Sequence, residues 1–144
     1  MAKVIAINIS EEKGLPKQGI DKGYFEVGCG LRGDAHAGDW HRQVSLLGIE
    51  SINKMEKVGL LDIETGSFAE NITTEGIILF ELPIGTKLKI GETLMKVTQI
   101  GKECHMGCAI REKIGDCVMP REGIFAEIIT SGWIKPGDKI EISG

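Results

Sequence analysis

The amino-acid sequence predicts a mostly β protein: one barrel-like domain spanning residues 1–144, with one or two peripheral helices. Three observations carry this prediction. Short apolar, β-branched runs recur along the chain, bounded by turn residues. Glycine separates them, 20 in 144 residues, roughly twice the ordinary share of about 7%. Only one segment repeats its apolar residues at helical spacing over more than a turn.

Taken in order, Val4 to Ile9 reads as the first strand. Ser10 to Lys22 is polar, carries Gly14, Pro16 and Gly19, and reads as a loop. Tyr24 to Val27 reads as a second strand. The stretch Gly28-Cys29-Gly30-Leu31-Arg32-Gly33-Asp34-Ala35-His36-Ala37-Gly38-Asp39 has too many glycines for the inside of an element and reads as an ordered loop. Val44 to Leu47 is apolar. Ile49, Ile52 and Met55 then fall on one side of a helix, with Glu50, Asn53, Lys54, Glu56 and Lys57 on the other, ending near Gly59.

Phe68 to Thr73 and Ile77 to Leu82 read as strands around a turn at Glu75-Gly76. Strands follow at Lys87 to Ile90, Thr93 to Ile100, Ile124 to Thr130 and Lys139 to Ile142. Gly91-Glu92 joins two of them. Lys135-Pro136-Gly137-Asp138 offers proline and glycine for the central positions of a type II turn. Gly85 to Ile90 echoes Gly137 to Ile142, a shared turn-and-strand chemistry.

The charge pattern excludes several functions. With 21 acidic and 17 basic side chains the net charge is −4, and no run of Lys and Arg could track a phosphate backbone. Nucleic acid is therefore not an expected partner. No apolar stretch approaches the roughly 20 residues of a membrane helix, so no membrane is expected either. The first residues lack an export pattern, which places the expected compartment in the cytoplasm. In that reducing setting Cys29, Cys104, Cys108 and Cys117 are expected to be thiols.

Two segments hold all three histidines and three of the four cysteines. In the first, His36 and His41 accompany Asp34, Asp39 and Arg42. Gly33 and Gly38 allow close backbone approach, and Arg32 and Arg42 could grip an anion. The alternative is a packed turn in which Asp34 caps backbone amides. The second runs from Gly101 to Arg121. Thiolate is the reactive form of cysteine, and cations such as Lys102 and Arg111 favour it. Cys104 and Cys108 share a face if that stretch is helical. Buried cysteines also serve as small hydrophobes, and Cys117 beside Val118 and Cys29 fit that use equally. A zinc site of Cys104, Cys108, Cys117 and a histidine would lack the two close ligand pairs of structural zinc modules. A third cluster, Phe68-Ala69-Glu70-Asn71-Ile72-Thr73, sets a carboxylate and an amide in an apolar run. If buried, both need hydrogen-bond partners, from a polar ligand or from the chain itself.

In order and spacing these pieces resemble the MOSC family, the domain at the C-terminus of molybdenum-cofactor sulfurases. They are Gly33-Asp34-Ala35-His36, Arg42 to Leu47, Gly66 to Ile72, Gly85 to Gly91, Gly101-Lys102-Glu103-Cys104-His105 and Gly123 to Ala126 through Gly137-Asp138. The resemblance covers about residue 20 onward. It implies a strand-rich, barrel-like fold and an essential cysteine that carries sulfur or ligates molybdenum. The basic-x-Cys pattern assigns that role, and the metal contact, to Cys104. Some relatives use the second of two nearby cysteines, which keeps Cys108 a candidate. The implied cofactor is the molybdenum cofactor (molybdopterin) or a precursor, with Arg32, His36, Arg42 and Lys102 on its phosphate. Asp34 lies in the same loop, and Glu70 and Asn71 would bond the pterin or fix the loop. A sulfur donor or a molybdoenzyme is the implied partner. The expected role is cofactor maturation or transfer. The other expectations are a sulfur or metal carrier that delivers its cargo to a partner, and a molybdenum-dependent reductase of N-oxygenated compounds. These residues include neither a pyridoxal-phosphate domain nor a second barrel, so complete desulfuration is not expected of them alone.

Overall fold

The computed structural model describes residues 2–10, 18–34, 37–38, 43–50, 70–100 and 123–143. They form a mostly β structure: β1 (Lys3–Ile9), β2 (Gln18–Ile20), β3 (Gly23–Glu26), β4 (Gly30–Leu31), β5 (Val44–Gly48), β6 (Ile72–Glu75), β7 (Lys87–Ile90), β8 (Thr93–Ile100), β9 (Ile124–Thr130), β10 (Gly132–Ile134) and β11 (Ile140–Ser143). Eight strands make one sheet in the order β11-β7-β8-β9-β5-β6-β1-β2, and β10-β3-β4 make a second. Every pairing is antiparallel except β5 with β6.

Alternation along the strands builds the core. Val4 and Ile7, Val44 and Leu46, Ile72, Leu88 and Ile90, Met95 and Val97, and Ile124, Ala126 and Ile128 point to one side and are buried. Phe25, Leu31 and Ile134 of the smaller sheet close over the same cluster. β5 is buried along its whole length. Ser45 and Leu47 face away from the core cluster and are still covered, so the central strand carries a layer on each face.

Most predicted strands lie where the apolar runs are, and β7, β8 and β9 match residue for residue. The Lys135–Asp138 turn forms: Asp138 N donates to Lys135 O at 3.1 Å, and Gly137 takes φ +95°. The echoing segments pair with each other, Ile140 opposite Ile90 and Ile142 opposite Leu88.

Several expectations are corrected. Of the strand predicted over Phe68 to Thr73, Glu70 and Asn71 are not in strand, and β6 runs from Ile72 on through Glu75; inside the predicted glycine-rich loop Gly30 and Leu31 pair with β3. Ile77 to Leu82 is not a strand; Leu79–Glu81 form a short 3-10 turn, with Leu82 N donating to Leu79 O at 3.0 Å. β6 already has β5 on one side and β1 on the other, so the chain beyond Gly76 cannot turn back to pair with β6. Within the predicted loop of residues 10–22, Gln18–Ile20 pairs with β1, because the outer edge of β1 offers free backbone groups.

Of the predicted helix only its first two residues, Ile49 and Glu50, are described, and both are helical; the rest lies outside the described residues, and no α-helix stands among the elements described. No ladder closes the large sheet into a barrel among the described residues. Its margins touch through one antiparallel bridge, Lys3 to Lys139. Around it, Val4 N donates to Asp138 O at 2.8 Å, Gly137 N to Val4 O at 2.7 Å and Ile140 N to Ala2 O at 3.0 Å.

Candidate functional site

A buried polar network occupies the covered face of the large sheet, opposite the apolar core. Its centre is Asn71, the residue before β6. Asn71 Oδ1 accepts from Ser45 N at 3.0 Å and from Ser45 Oγ at 3.1 Å. Asn71 N donates to Ser45 Oγ at 3.0 Å, and Asn71 Nδ2 to Asn8 O at 3.3 Å. Asn8 N in turn donates to Asn71 O at 2.7 Å. Both lone pairs of the Asn71 amide oxygen are thus committed to the chain.

Glu70 joins through Thr73. Asn8 Nδ2 donates to Thr73 Oγ1 at 3.0 Å, and that hydroxyl donates to Glu70 Oε2 at 2.9 Å. Asn8, Glu70, Asn71 and Thr73 are fully buried and Ser45 nearly so. A carboxylate so removed from water is tolerable only with such partners. The donor order fixes the Asn8 amide: Nδ2 must face Thr73, because the threonine hydrogen goes to Glu70. Asn8 Oδ1 therefore faces the other way, buried and without a hydrogen-bond partner. The cross-strand neighbour on that side is Gly19, and the position a Cβ would take there is 3.8 Å from the amide oxygen.

The glycine-rich loop is fastened to the same end of β1. Asp34 is buried and its Oδ1 accepts from Ser10 N at 3.1 Å, just past Asn8. Its backbone N–H donates to Leu31 O, and its carbonyl accepts from Ala37 N, each at 3.1 Å. The Asp34 carboxylate thus holds a backbone amide just beyond β1, while its own backbone closes the turn. The loop closes on itself: Gly38 N donates to Cys29 O at 2.7 Å. Gly30 has φ +99° and lies so close to Gln43 O that no Cβ fits. His36 and Arg42 lie outside the described residues.

Arg32 points away from the network. Its guanidinium pairs with Glu26 and lies 4.8 Å from the Tyr24 ring centroid, with most of the side chain exposed. The Glu26 carboxylate pushes its pKa up. Cys29, in the same loop, is a free thiol. Burial raises its pKa, Glu26 raises it further, and Arg32 only partly opposes them. Cys29 is therefore the wrong kind of thiol for ready ionisation.

Cys104, Cys108, Cys117 and Lys102 lie outside the described residues, but the strands that carry them do not. β8 ends at Ile100 and β9 begins at Ile124. The registers place Ile100, Ile124, Leu46, Ile72 and Ile7 in one row across the sheet. Ser45, Asn71 and Asn8 stand one residue to one side of that row. Adjacent strands are about 4.8 Å apart, so the root of the cysteine segment at Ile124 is two strands from the Asn71 strand. The chain leaves Ile100 toward the other side of the row.

Of the residues expected at a site, Glu70 and Asn71 lie in this network and Asp34 beside it; Asn8, Ser45 and Thr73 join it without having been expected there. A polar residue interrupting an apolar strand is the signal that could have marked Asn8, Ser45 and Thr73. Among the described residues no group of three or more His, Cys, Asp or Glu converges on a metal position, and no helix is long and apolar enough to cross a membrane.

No curated protein matches the chain. Solved structures do. The YuaD protein of Bacillus subtilis superimposes with a TM-score of 0.81 at 21% identity, covering 99% of this chain and 96% of that one. YiiM from Geobacillus stearothermophilus gives 0.80 at 18%, covering 100% of this chain and 76% of its own. YiiM from Escherichia coli gives 0.66 at 16%, covering 99% and 70%. At these identities the likeness is one of fold. The sequence itself matches the model of the MOSC domain over residues 33–141, from the glycine-rich loop to β11. The chain belongs to the MOSC domain family, which is associated with the molybdenum cofactor.

Proposed function

We propose that this chain, as one domain acting in the cytoplasm, binds the molybdenum cofactor or a precursor of it, in cofactor maturation or transfer. The observation that carries the reading is the buried acceptor Asn8 Oδ1 without a partner, set among Asp34, Glu70 and Asn71 in a chain of this family. A pterin carries a donor-rich edge of amino and ring N–H groups, and such an edge fits an unmatched buried acceptor. The orphan and Gly19 beside it are the fit between chain and cofactor.

The residues divide by task. Asp34, Glu70 and Asn71 hold the two loops on the end of β1 and so position the others. His36, Arg42 and Lys102 supply positive charge for the phosphate and for a thiolate. Arg32 joins them only by leaving Glu26. Cys104, with Cys108 as its neighbour, is the thiol that ligates molybdenum or carries sulfur; the cofactor, when bound, supplies the redox-active metal. The reading requires the segment rooted at Ile100 and Ile124 to return across the row toward Asn71. It also takes the curled sheet as barrel-like, with the margins meeting at Lys3 and Lys139 and the helix that begins at Ile49 outside it. A sulfur donor or a molybdoenzyme is the partner.

The test is expression in cells that make the cofactor, followed by measurement of molybdenum and pterin in the purified protein. Wild type should retain both, and Cys104→Ser should lose the metal. Full loading after Cys104 and Cys108 are both replaced by Ser would sink the assignment of the thiols. Persulfide on Cys104 with no pterin bound would identify a sulfur carrier instead.

A further inference from the structure

At the opposite end of β5 the chain makes a second polar feature, unconnected with the network above. Gly48 pairs with Thr74 across the parallel β5–β6 ladder. Three oxygens border the space a side chain at Gly48 would fill. The three atoms nearest that Cβ position are Glu50 Oε1 at 3.0 Å, Thr74 Oγ1 at 3.7 Å and Ile77 O at 3.9 Å. None of them is a nitrogen or a carbon. Thr74 is fully buried and its hydroxyl has no hydrogen-bond partner. Glu50 uses its other oxygen, Oε2, to accept from Gly76 N at 2.8 Å, and forms no ion pair among the described residues.

A carboxylate oxygen and a backbone carbonyl face one small space together with a hydroxyl oxygen, and an electropositive group between them would be attracted by all three. An orphaned buried hydroxyl is itself costly. A carboxylate, a hydroxyl and a backbone carbonyl are hard oxygen ligands. Together they carry one negative charge, which a single positive charge balances.

We infer that the Gly48 cradle is a binding site for a monovalent alkali cation, sodium or potassium, held by Glu50 Oε1, Thr74 Oγ1 and Ile77 O. Water completes its shell from the exposed Glu50 side. The ion pins the exit of β5, where the helix begins, to the end of β6. The site depends on glycine at 48 for space rather than for backbone conformation: no positive φ occurs there.

Three single variants give distinct expectations. Gly48→Ala fills the cradle with a methyl group, and Thr74→Val removes one ligand without changing volume much. In Glu50→Gln the carbonyl oxygen keeps the Gly76 bond while the amide nitrogen enters the cradle as a built-in donor. The full chain is stripped of alkali metal and its thermal midpoint followed in sodium, potassium and tetramethylammonium chlorides at equal ionic strength. Sodium or potassium should raise the midpoint by a few degrees, saturably, above the level in tetramethylammonium, which is too large to enter. Gly48→Ala and Thr74→Val should lose that difference. Glu50→Gln should also lose it, but without falling below wild type in tetramethylammonium. Crystals soaked in thallium(I) should show anomalous scattering at the cradle. Equal response to all three salts overturns the inference, as does a response that survives Gly48→Ala. A water at the position with no thallium signal overturns it as well.

Discussion

Asn71 shows how one side chain can hold several segments at once. Its amide joins β1 through Asn8 and β5 through Ser45 while its backbone opens β6. Replacing it by alanine leaves Ser45 N and Asn8 O buried with a partner lost. Each group so abandoned costs about 1–3 kcal/mol, so Asn71→Ala should lower stability by roughly 2–6 kcal/mol. Urea denaturation read by circular dichroism measures it; a loss under about 0.5 kcal/mol, the size of an ordinary surface change, would show that the network is not a brace. Cys29 gives a second test at this scale. Its thiol pKa is raised by burial and by Glu26, so at pH 8 it holds less thiolate than a free cysteine and should alkylate more slowly with iodoacetamide. Glu26→Gln removes the repelling charge and frees Arg32 to favour the thiolate, so alkylation should speed up and reach its half-maximal rate at lower pH. Peptide mass spectrometry resolves Cys29 from the other thiols. An unchanged or slower rate in the variant contradicts the assigned cause.

Among the elements, β5 is buried along its whole length, and its two faces do different work. Leu46 lies in the apolar core cluster, whereas Leu47 lies on the covered face beside the polar network, and both are fully buried. If both faces are closely packed, Leu46→Ala and Leu47→Ala should each cost about 2–5 kcal/mol. A much smaller effect for Leu47, with Leu46 in range, would mean that its cover is loose and has collapsed into the space. This doubling of faces also explains what the sequence could reveal. β7, β8 and β9 were legible because their apolar residues alternate or run between clear turn signals. Val44 to Leu47 showed only as an apolar run, because a strand buried on both sides loses alternation. β2 and β10 are three residues long and exist through their partners, β1 for one and β3 for the other; no local pattern announces them. Ile77 to Leu82 misled because an apolar run says nothing about whether an edge is free. Of the site, polar residues in apolar strands were readable one by one. Their joining into one network depends on β1, β5 and β6 becoming neighbours, a long-range fact. Arg32 was read by its chemistry as an anion ligand, while its position over Tyr24 and against Glu26 follows from the β3–β4 pairing.

For the whole molecule, the decisive feature is that the first strand and the last segment described meet. Val4 N donates to Asp138 O, Gly137 N to Val4 O and Ile140 N to Ala2 O. Here Val4 is fully buried and Ile140 nearly so, and each belongs to the core cluster. Opening this seam would expose apolar surface on both margins of the large sheet, beside Leu88 and Ile90 on β7 and Ile72 on β6. The seam should therefore open only with the core. Native-state hydrogen exchange tests this. The amides of Val4, Gly137 and Ile140 should exchange with the same free energy as Leu46 and Val97, and all five should share the denaturant dependence of global unfolding. Exchange of the seam amides at low free energy, with little denaturant dependence, would show instead that the margins part by local fraying. The curled sheet would then be open in its working state, and cooperativity would stop at β7 and β6 rather than run around the molecule.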